Sequence, residues 1–326
     1  MVGVPANDPA GGYARLMPHA VGSVFLAGRS SAGAATIGAA VATMQVHGLN
    51  ATGAFLQVAV DQEGGLVQTL SGPGFSSIPT GLEQGQLSTT ELASQTAAWA
   101  VQLAGAGITM NLAPVADTVP VGTAAANPPI GVSDRQYGND PQVVAQAVST
   151  VVTALQGAGV DATLKHFPGL GRVTANTDTS SRAVDELTTA DDAALQPFVA
   201  GIQSGVAAVM MSSASYPRLD PDNIAAFSDA VIGDLLRVQL GFNGVVVSDD
   251  LGNAVAVADV PVGQRAVDFV AAGGDLVLTV NATAVAPMAA ALLDRASNDP
   301  AFASRIEDAA GHVLVGKQDA GLLICA

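Results

Sequence analysis

Short apolar segments alternate with longer helical patterns along the whole chain, and this alternation constrains the fold more than any other feature. Seven apolar segments, often β-branched and bounded by Gly or Asp, have the pattern of strands buried on both faces. They cover residues 21–27, 55–60, 108–112, 161–164, 206–211, 244–247 and 275–280, and residues 1–4 resemble the middle of a further strand. Regular β-then-α order predicts a parallel sheet. We therefore predict one domain, residues 1–326, folded as a (β/α)8 TIM barrel, for which this length is ordinary.

Helix-start signals support the same interpretation. Asp140 followed by Pro141 predicts an N-cap and a first helical residue. Ser88 and Glu91 have the spacing of a capping box. Ser228 can cap a helix that ends near residue 240. These helices would cover the outside of the predicted barrel.

Composition excludes several kinds of partner and site. The formal net charge of −16 repels phosphate backbones and anionic lipid, so we expect neither nucleic acid nor a membrane surface as a partner. Apolar runs such as residues 206–211 are too short to span a bilayer. The lone cysteine, Cys325, can form neither an intrachain disulfide nor a cysteine zinc site. No paired-histidine motif or nucleotide-binding loop is visible, so we predict no metal and no cofactor, and we expect a monomer.

Polar residues are concentrated where predicted strands end. In a barrel these carboxyl ends converge on the catalytic face, and carboxylates beside a Lys-His pair suit acid–base and nucleophilic chemistry. Any single Asp is better explained as a helix cap, but four clusters in register weigh against that explanation. The clusters are Asp61, Asn111 with Asp117, Lys165 with His166, and Asp249 with Asp250.

Six motifs give the chain a resemblance to a known family. VDQEGG, NLAPVAD, DRQYGNDP, LKHFPGLG, VMMSSASYP and VVVSDDL occur here in the order and rough spacing of the family 3 β-N-acetylglucosaminidases. The match extends over residues 21–322, and KHFPG followed by SDDL is its most specific part. The resemblance implies a retaining, exo-acting glycosidase that removes terminal β-linked N-acetylglucosamine from peptidoglycan fragments or similar glycosides.

Individual roles are implied by the same resemblance. Asp249 in SDDL would be the nucleophile, and four side chains would bind the sugar hydroxyls: Asp61, Arg135, Lys165 and His166. A loop salt bridge remains the alternative for Arg135, and a hydrogen-bonded core histidine the alternative for His166. Lys165 is one of only two lysines and lies at a strand end, so a surface role is disfavoured.

The loop at residues 171–181 departs from the family. There the family carries an Asp-Ser-His sequence whose histidine is the usual general acid/base, but GRVTANTDTSS contains no histidine. An ungapped alignment places Asn176 at the aspartate, Thr177 at the serine and Asp178 at the histidine. We therefore predict that Asp178 is the acid/base, with a pKa raised by burial or by Asp249. The alternative is that Asp178 only stabilises a turn. The loop is expected to close over bound sugar.

Three further departures remove polar groups from the mouth of the site: Leu66, Leu170 and Ser213. Rival functions therefore stay open. They are a β-glucosidase or phosphorylase on the same barrel, a barrel that binds wall fragments without cleaving them, and an aldolase-like barrel with Lys165 as Schiff base. A carboxylate at position 178 would repel phosphate, which favours hydrolysis over phosphorolysis.

The compartment is not determined by the sequence. No basic-then-apolar leader precedes the fold, yet an opening in mid-strand favours a missing upstream segment. The resemblance implies either a cytoplasmic or a secreted, cell-envelope enzyme, and we favour the second.

Overall fold

Eight parallel strands form the centre of the molecule in the computed structural model, which describes residues 1–323. Cys325 lies outside the described residues. The strands are β1 Val2–Pro5, β2 Ser23–Ala27, β3 Gln57–Val60, β4 Met110–Asn111, β5 Asp161–Phe167, β6 Ala208–Met211, β7 Val245–Asp250 and β8 Leu276–Leu278. They are hydrogen-bonded in chain order. The first and last strands also meet, because Gly3 N donates to Thr279 O (2.8 Å) and Thr279 N donates to Met1 O (3.0 Å). The sheet is thus nearly closed, and the predicted (β/α)8 barrel is confirmed.

Helices alternate with these strands and cover the outside of the barrel. They are α1 Pro9–Ala14, α2 Ala34–Thr52, α3 Gly81–Gln84, α4 Thr89–Gly105, α5 Pro141–Gly157, α6 Gln196–Gln203, α7 Val262–Ala271, α8 Val285–Asn298 and α9 Pro300–Asp319. A helix with i→i+5 hydrogen bonds, Ala230–Gln239, occupies the position between β6 and β7. None of the helices within residues 1–323 is both long and apolar enough to cross a bilayer.

The predicted helix starts are confirmed. Ser88 and Glu91 form a capping box on α4. Asp140 accepts from Gln142 N at the start of α5, with Pro141 as the first helical residue. Ser228 Oγ accepts from Val231 N (3.2 Å) before the helix that follows β6.

Alternating side chains divide the core into two parts. Val24 and Leu26 on β2 belong to the cluster between sheet and helices, whereas Phe25 points into the barrel. The interior is otherwise filled by Met, Ala, Val and Leu, including Met110 and Met210. This packing follows from the low aromatic content of 4%. It closes the interior below the strand ends, so a site at the barrel axis is expected at the carboxyl-terminal face.

Candidate active site

A cavity of about 480 Å³ opens at the carboxyl ends of the strands. All six side chains singled out from the sequence line it: Asp61, Arg135, Lys165, His166, Asp178 and Asp249. They come from the ends of three strands and from the two loops that follow β4 and β5. The expected convergence of the polar clusters is therefore what the structure shows.

Three charged side chains that line the cavity form a network with Glu63, which lies behind them. We call these four residues the charged floor: Asp61, Glu63, Arg135 and Lys165. Lys165 Nζ contacts Asp61 Oδ1 (2.6 Å) and Glu63 Oε1 (2.7 Å). Arg135 donates to both oxygens of Glu63, from Nη2 at 2.7 Å and from Nε at 2.9 Å. The salt bridge considered for Arg135 thus exists, and it lies in the cavity instead of in a surface loop. The floor is rigid because each charge meets an opposite charge at hydrogen-bond distance.

Burial alone would neutralise these groups, and their mutual attraction prevents it. Desolvation raises the pKa of Glu63, but the charges and hydrogen bonds of Arg135 and Lys165 outweigh it and lower that pKa to about 2. Burial lowers the pKa of Lys165, and Asp61 with Glu63 outweighs it, so the net shift is upward. The raised pKa favours the protonated ammonium of Lys165 over the neutral amine that Schiff-base chemistry requires.

A short hairpin places Asp61 and Glu63. Residues Gln62–Gly64 pair with Val67–Gln68 directly after β3. Asn111 at the end of β4 binds both backbone groups of Gln62, accepting from N (3.0 Å) and donating to O (3.2 Å). Gly64 has φ +114°, and a Cβ there would lie 2.1 Å from Pro79 O. The glycine of the QEG sequence is thus required by the backbone that aims the two carboxylates.

His166 is fixed by a buried carboxylate. Asp117 Oδ2 lies 2.7 Å from His166 Nδ1, and Oδ1 accepts from His166 N (3.2 Å) and Leu170 N (2.7 Å). An ionised carboxylate only accepts hydrogen bonds, so Nδ1 carries the hydrogen and Nε2 remains for another partner. His166 and Lys165 are consecutive, are joined by a cis peptide bond, and both line the cavity.

Asp249 and Asp250 are neighbours with different surroundings. Asp250 accepts three backbone hydrogen bonds beyond its own strand, from Gly252 (2.8 Å), Val280 (3.0 Å) and Asn253 (3.2 Å). The Asp249 carboxylate accepts only from Asp250 N (2.8 Å) among the described residues. Asp250 therefore has a structural role in holding the β7 and β8 loops, and Asp249 keeps an oxygen available to the cavity.

The Asp178 loop, residues 171–181, covers the cavity from one side. Asp178 is exposed at the rim, and its backbone N donates to Asn176 Oδ1 (2.8 Å). The loop rests on the turn after β7, where Val255 N donates to Asp178 O (3.3 Å) and Ala256 N donates to Thr177 O (3.0 Å). Asp178 and Asp249 thus face one cavity although 71 residues separate them in the chain.

The pKa of Asp178 is raised. Desolvation by the surrounding protein is the largest cause, and the negative charge of Asp249 is the next. Both favour the protonated carboxyl, which is the form that can donate a proton.

Two residues that complete the site received no role from the sequence: Glu63, which was not singled out, and Asp117, which was named only as a member of a polar cluster. Glu63 joins Arg135 to Lys165, and Asp117 orients His166. Both stand inside the motifs VDQEGG and NLAPVAD, which is the signal that could have found them. Of the three departures, Leu170 lines the cavity, Leu66 is 64% exposed, and Ser213 is buried without a hydrogen-bond partner for Oγ. Within residues 1–323, no group of three or more His, Cys, Asp or Glu side chains is arranged to hold a metal ion.

Comparison with sequence families identifies one match over nearly the whole chain. The model of the glycosyl hydrolase family 3 N-terminal domain covers residues 6–315. A β-hexosaminidase from Xanthomonas oryzae pv. oryzae is 38% identical over 75% of this chain and 73% of its own length. A β-hexosaminidase from Stenotrophomonas maltophilia is 37% identical over the same shares.

Solved structures agree with the sequence matches. A β-N-acetylhexosaminidase from Beutenbergia cavernae superposes with a TM-score of 0.95 at 46% identity, over 98% of this chain and 96% of that one. A family 3 β-N-acetylglucosaminidase from Paenibacillus sp. has a TM-score of 0.88 at 31% identity. It covers 100% of this chain, which spans 62% of that longer protein.

Proposed function

The chain belongs to glycosyl hydrolase family 3, and we propose that it is a retaining exo-β-N-acetylglucosaminidase with Asp249 as nucleophile and Asp178 as general acid/base. One observation carries the assignment. Asp249 has an oxygen free in the cavity, and a second carboxyl with a raised pKa faces the same cavity from a loop. Two carboxyl groups of opposite protonation state are what a retaining glycosidase uses.

In the first step Asp249 attacks the anomeric carbon. The bond from that carbon to the leaving oxygen breaks, and the Asp178 proton passes to this oxygen. The sugar is then an ester of Asp249, with the opposite anomeric configuration. General acid help matters most when the leaving group is a sugar alkoxide, because an alkoxide is a poor leaving group without a proton.

In the second step Asp178, now ionised, removes a proton from water. The oxygen of that water attacks the anomeric carbon, and the bond to Asp249 breaks. Two inversions give net retention, which requires the two carboxyl groups to approach to about 5–5.5 Å with sugar bound.

The charged floor and His166 would hold the sugar. Asp61 is the most exposed carboxylate of the floor, with 32% of its side-chain surface accessible, and so can accept from a hydroxyl while paired with Lys165. His166 Nε2 is available because Asp117 occupies Nδ1. A closed floor under a small cavity suits removal of one terminal sugar and not cleavage within a chain.

The natural substrates we propose are peptidoglycan fragments or related amino-sugar glycosides. The family 3 relatives support hydrolysis of terminal β-linked N-acetylglucosamine and do not favour the rival functions. Phosphate as acceptor is disfavoured because Asp178, Asp249 and Asp250 all face the cavity and would repel an incoming anion.

An assay of aryl β-N-acetylglucosaminide beside aryl β-glucoside, each with and without phosphate, tests the proposal. We expect hydrolysis of the first substrate, slow turnover of the second, and no dependence on phosphate. Proton NMR should show the β-anomer as the first product. No turnover of either substrate would favour a binding protein, and an initial α-anomer would contradict double displacement.

A further inference from the structure

We propose that Asn127 is a positioning residue that holds the Asp178 loop over the cavity. The proposal rests on the acid/base role proposed for Asp178. Asn127 lies in the long loop after β4, 51 residues before Asp178 in the chain, and is only 2% exposed.

Every polar atom of the Asn127 side chain is used. Nδ2 donates to Leu170 O and to Val173 O, both at 2.7 Å, and Oδ1 accepts from Gly131 N at 2.7 Å. Leu170 and Val173 bracket the start of the Asp178 loop. One buried amide therefore joins the beginning of this loop to the segment after β4.

The same side chain also reaches the charged floor indirectly. Its bond to Gly131 closes a turn in which Pro129 O accepts from Arg135 Nη1 (2.7 Å). Asn127 thus has two separable functions. The oxygen supports the turn beside Arg135, and the two N–H groups support the Asp178 loop.

Close packing at the start of the loop supports a fixed position. A Cβ at Gly171 would lie 1.9 Å from Thr118 O, so the backbone there rests directly on the segment after β4. With Val255 and Ala256 bonded to residues 178 and 177, the loop is held near its start and again at Asp178 itself. Loss of the Asn127 donors would free the first of these attachments.

An isosteric change separates the two functions. Asn127→Asp keeps an oxygen for Gly131 N but replaces Nδ2, which supplies both donors, by a second oxygen. That oxygen would face the carbonyls of Leu170 and Val173. Asn127→Ala removes the donors without adding charge, but it also removes the acceptor of Gly131 N. In both variants Asp178 should be misplaced while Asp249 is untouched, and misplacement of a reacting group by about 1 Å costs on the order of 10²-fold.

The experiment measures kcat/KM for a series of β-N-acetylglucosaminides, from chitobiose to a dinitrophenyl glycoside. For Asn127→Asp we expect a loss of about 10- to 100-fold with chitobiose, and near wild-type values with the dinitrophenyl glycoside. Asn127→Ala should show the same difference between the two substrates, with a further small loss common to both because the Gly131 contact beside Arg135 is also removed. Adding Asn127→Asp to Asp178→Ala should cause no further loss with chitobiose, because the two residues would act through one proton transfer.

Gln45→Glu is the matched control. Like the Asn127 amide, the Gln45 amide donates to a backbone carbonyl and accepts from a backbone N–H, here both of Leu56. Gln45 and Leu56 lie before β3, at the opposite end of the barrel. Gln45→Glu should not reduce kcat/KM for chitobiose more than for the dinitrophenyl glycoside. Its thermal midpoint, measured beside those of the Asn127 variants, separates lost stability from lost positioning.

Two results would overturn the proposal. One is equal slowing of good and poor leaving groups in both Asn127 variants, and the other is an additive loss in the double variant. If Asp178→Ala itself shows no dependence on the leaving group, the proposed acid/base role fails and the role of Asn127 fails with it. If Asp178→Ala shows that dependence and the Asn127 variants do not, only the present inference fails.

Discussion

The charged floor and the Asp178 loop enclose one cavity by different physical means. In the floor, the buried Lys165 and Glu63 and the partly exposed Asp61 and Arg135 contact one another at 2.6–2.9 Å. The Asp178 carboxyl is exposed at the rim, and its position is set by backbone hydrogen bonds and by the Asn127 amide. The floor is thus stabilised by charge, and the loop by polar contacts of the main chain.

This difference separates the expected effects of substitution. Changes in the floor leave a buried charge unpaired, so they should affect stability and sugar binding together. Changes in the loop should leave the fold intact and affect proton transfer alone.

The largest effect is expected for Asp249→Asn. The amide keeps the shape and the neighbouring hydrogen bond but is a very poor nucleophile, so kcat should fall by about 10⁴–10⁶-fold. Circular dichroism should show an intact fold. A slow fluorinated glycoside should label Asp249 in the wild type, and peptide mapping that places the label on Asp250 would refute the assignment.

Asp250→Asn should reduce stability, in contrast to Asp249→Asn. The Asp250 carboxylate accepts three backbone hydrogen bonds, and replacing one of its oxygens by an NH₂ group places a donor against a backbone N–H donor. We expect a lower thermal midpoint for this variant than for Asp249→Asn. The reverse order of stability would contradict the division of roles between these neighbours.

A smaller loss of activity is expected for Asp178→Ala. For chitobiose, kcat/KM should fall by about 10²–10⁴-fold, the usual worth of general acid–base catalysis. For a dinitrophenyl glycoside it should change little, because an activated phenolate leaves without a proton. Equal losses for both substrates would mean that Asp178 only stabilises a turn.

Glu63→Ala tests the floor through stability. It removes the carboxylate shared by Arg135 and Lys165, and breaking a buried ion pair typically costs about 3–5 kcal/mol. Urea denaturation measures the loss. Glu91→Ala, an exposed capping-box carboxylate, is the control and should cause a much smaller one. Equal losses would show that the floor contributes no special stability.

The pH dependence of the floor has a defined sign. The folded-state pKa of Glu63 is lowered from 4.5 to about 2, so its contribution is present above pH 4.5 and is lost as pH falls toward 2. The free energy of unfolding of the wild type should therefore fall faster over this range than that of Glu63→Ala. Parallel curves for the two proteins would contradict the lowered pKa.

The smallest effect concerns the basic limb of the pH–rate profile. Because the pKa of Asp178 is raised by desolvation and by Asp249, its protonated form persists above the ordinary aspartate pKa of 3.8. For chitobiose, kcat/KM should decline as pH rises through this raised pKa, and Asp178→Ala should lack the decline. An unchanged basic limb in the variant would assign it to another group.

The two regions also differ in how far the sequence predicts them. Strand ends could be predicted because buried strands are continuous apolar runs, and the residues that follow them must converge. That logic places Asp61, Lys165 and Asp249 without a structure. It does not pair Glu63 with Arg135, since 72 residues separate them and the loop path decides their contact. The position of Asp178 is harder still, because it depends on Asn127 and on the turn at residues 255–257, which no local pattern connects to it.

Azide rescue of Asp178→Ala is the most direct test of the central claim that Asp249 is the nucleophile and that the Asp178 loop supplies the proton. With a dinitrophenyl glycoside, this variant should form the Asp249 ester readily and hydrolyse it slowly, because water lacks its base. Azide needs no deprotonation, so it should restore turnover and release β-N-acetylglucosaminyl azide. Absence of rescue, or an α-azide, would contradict the account.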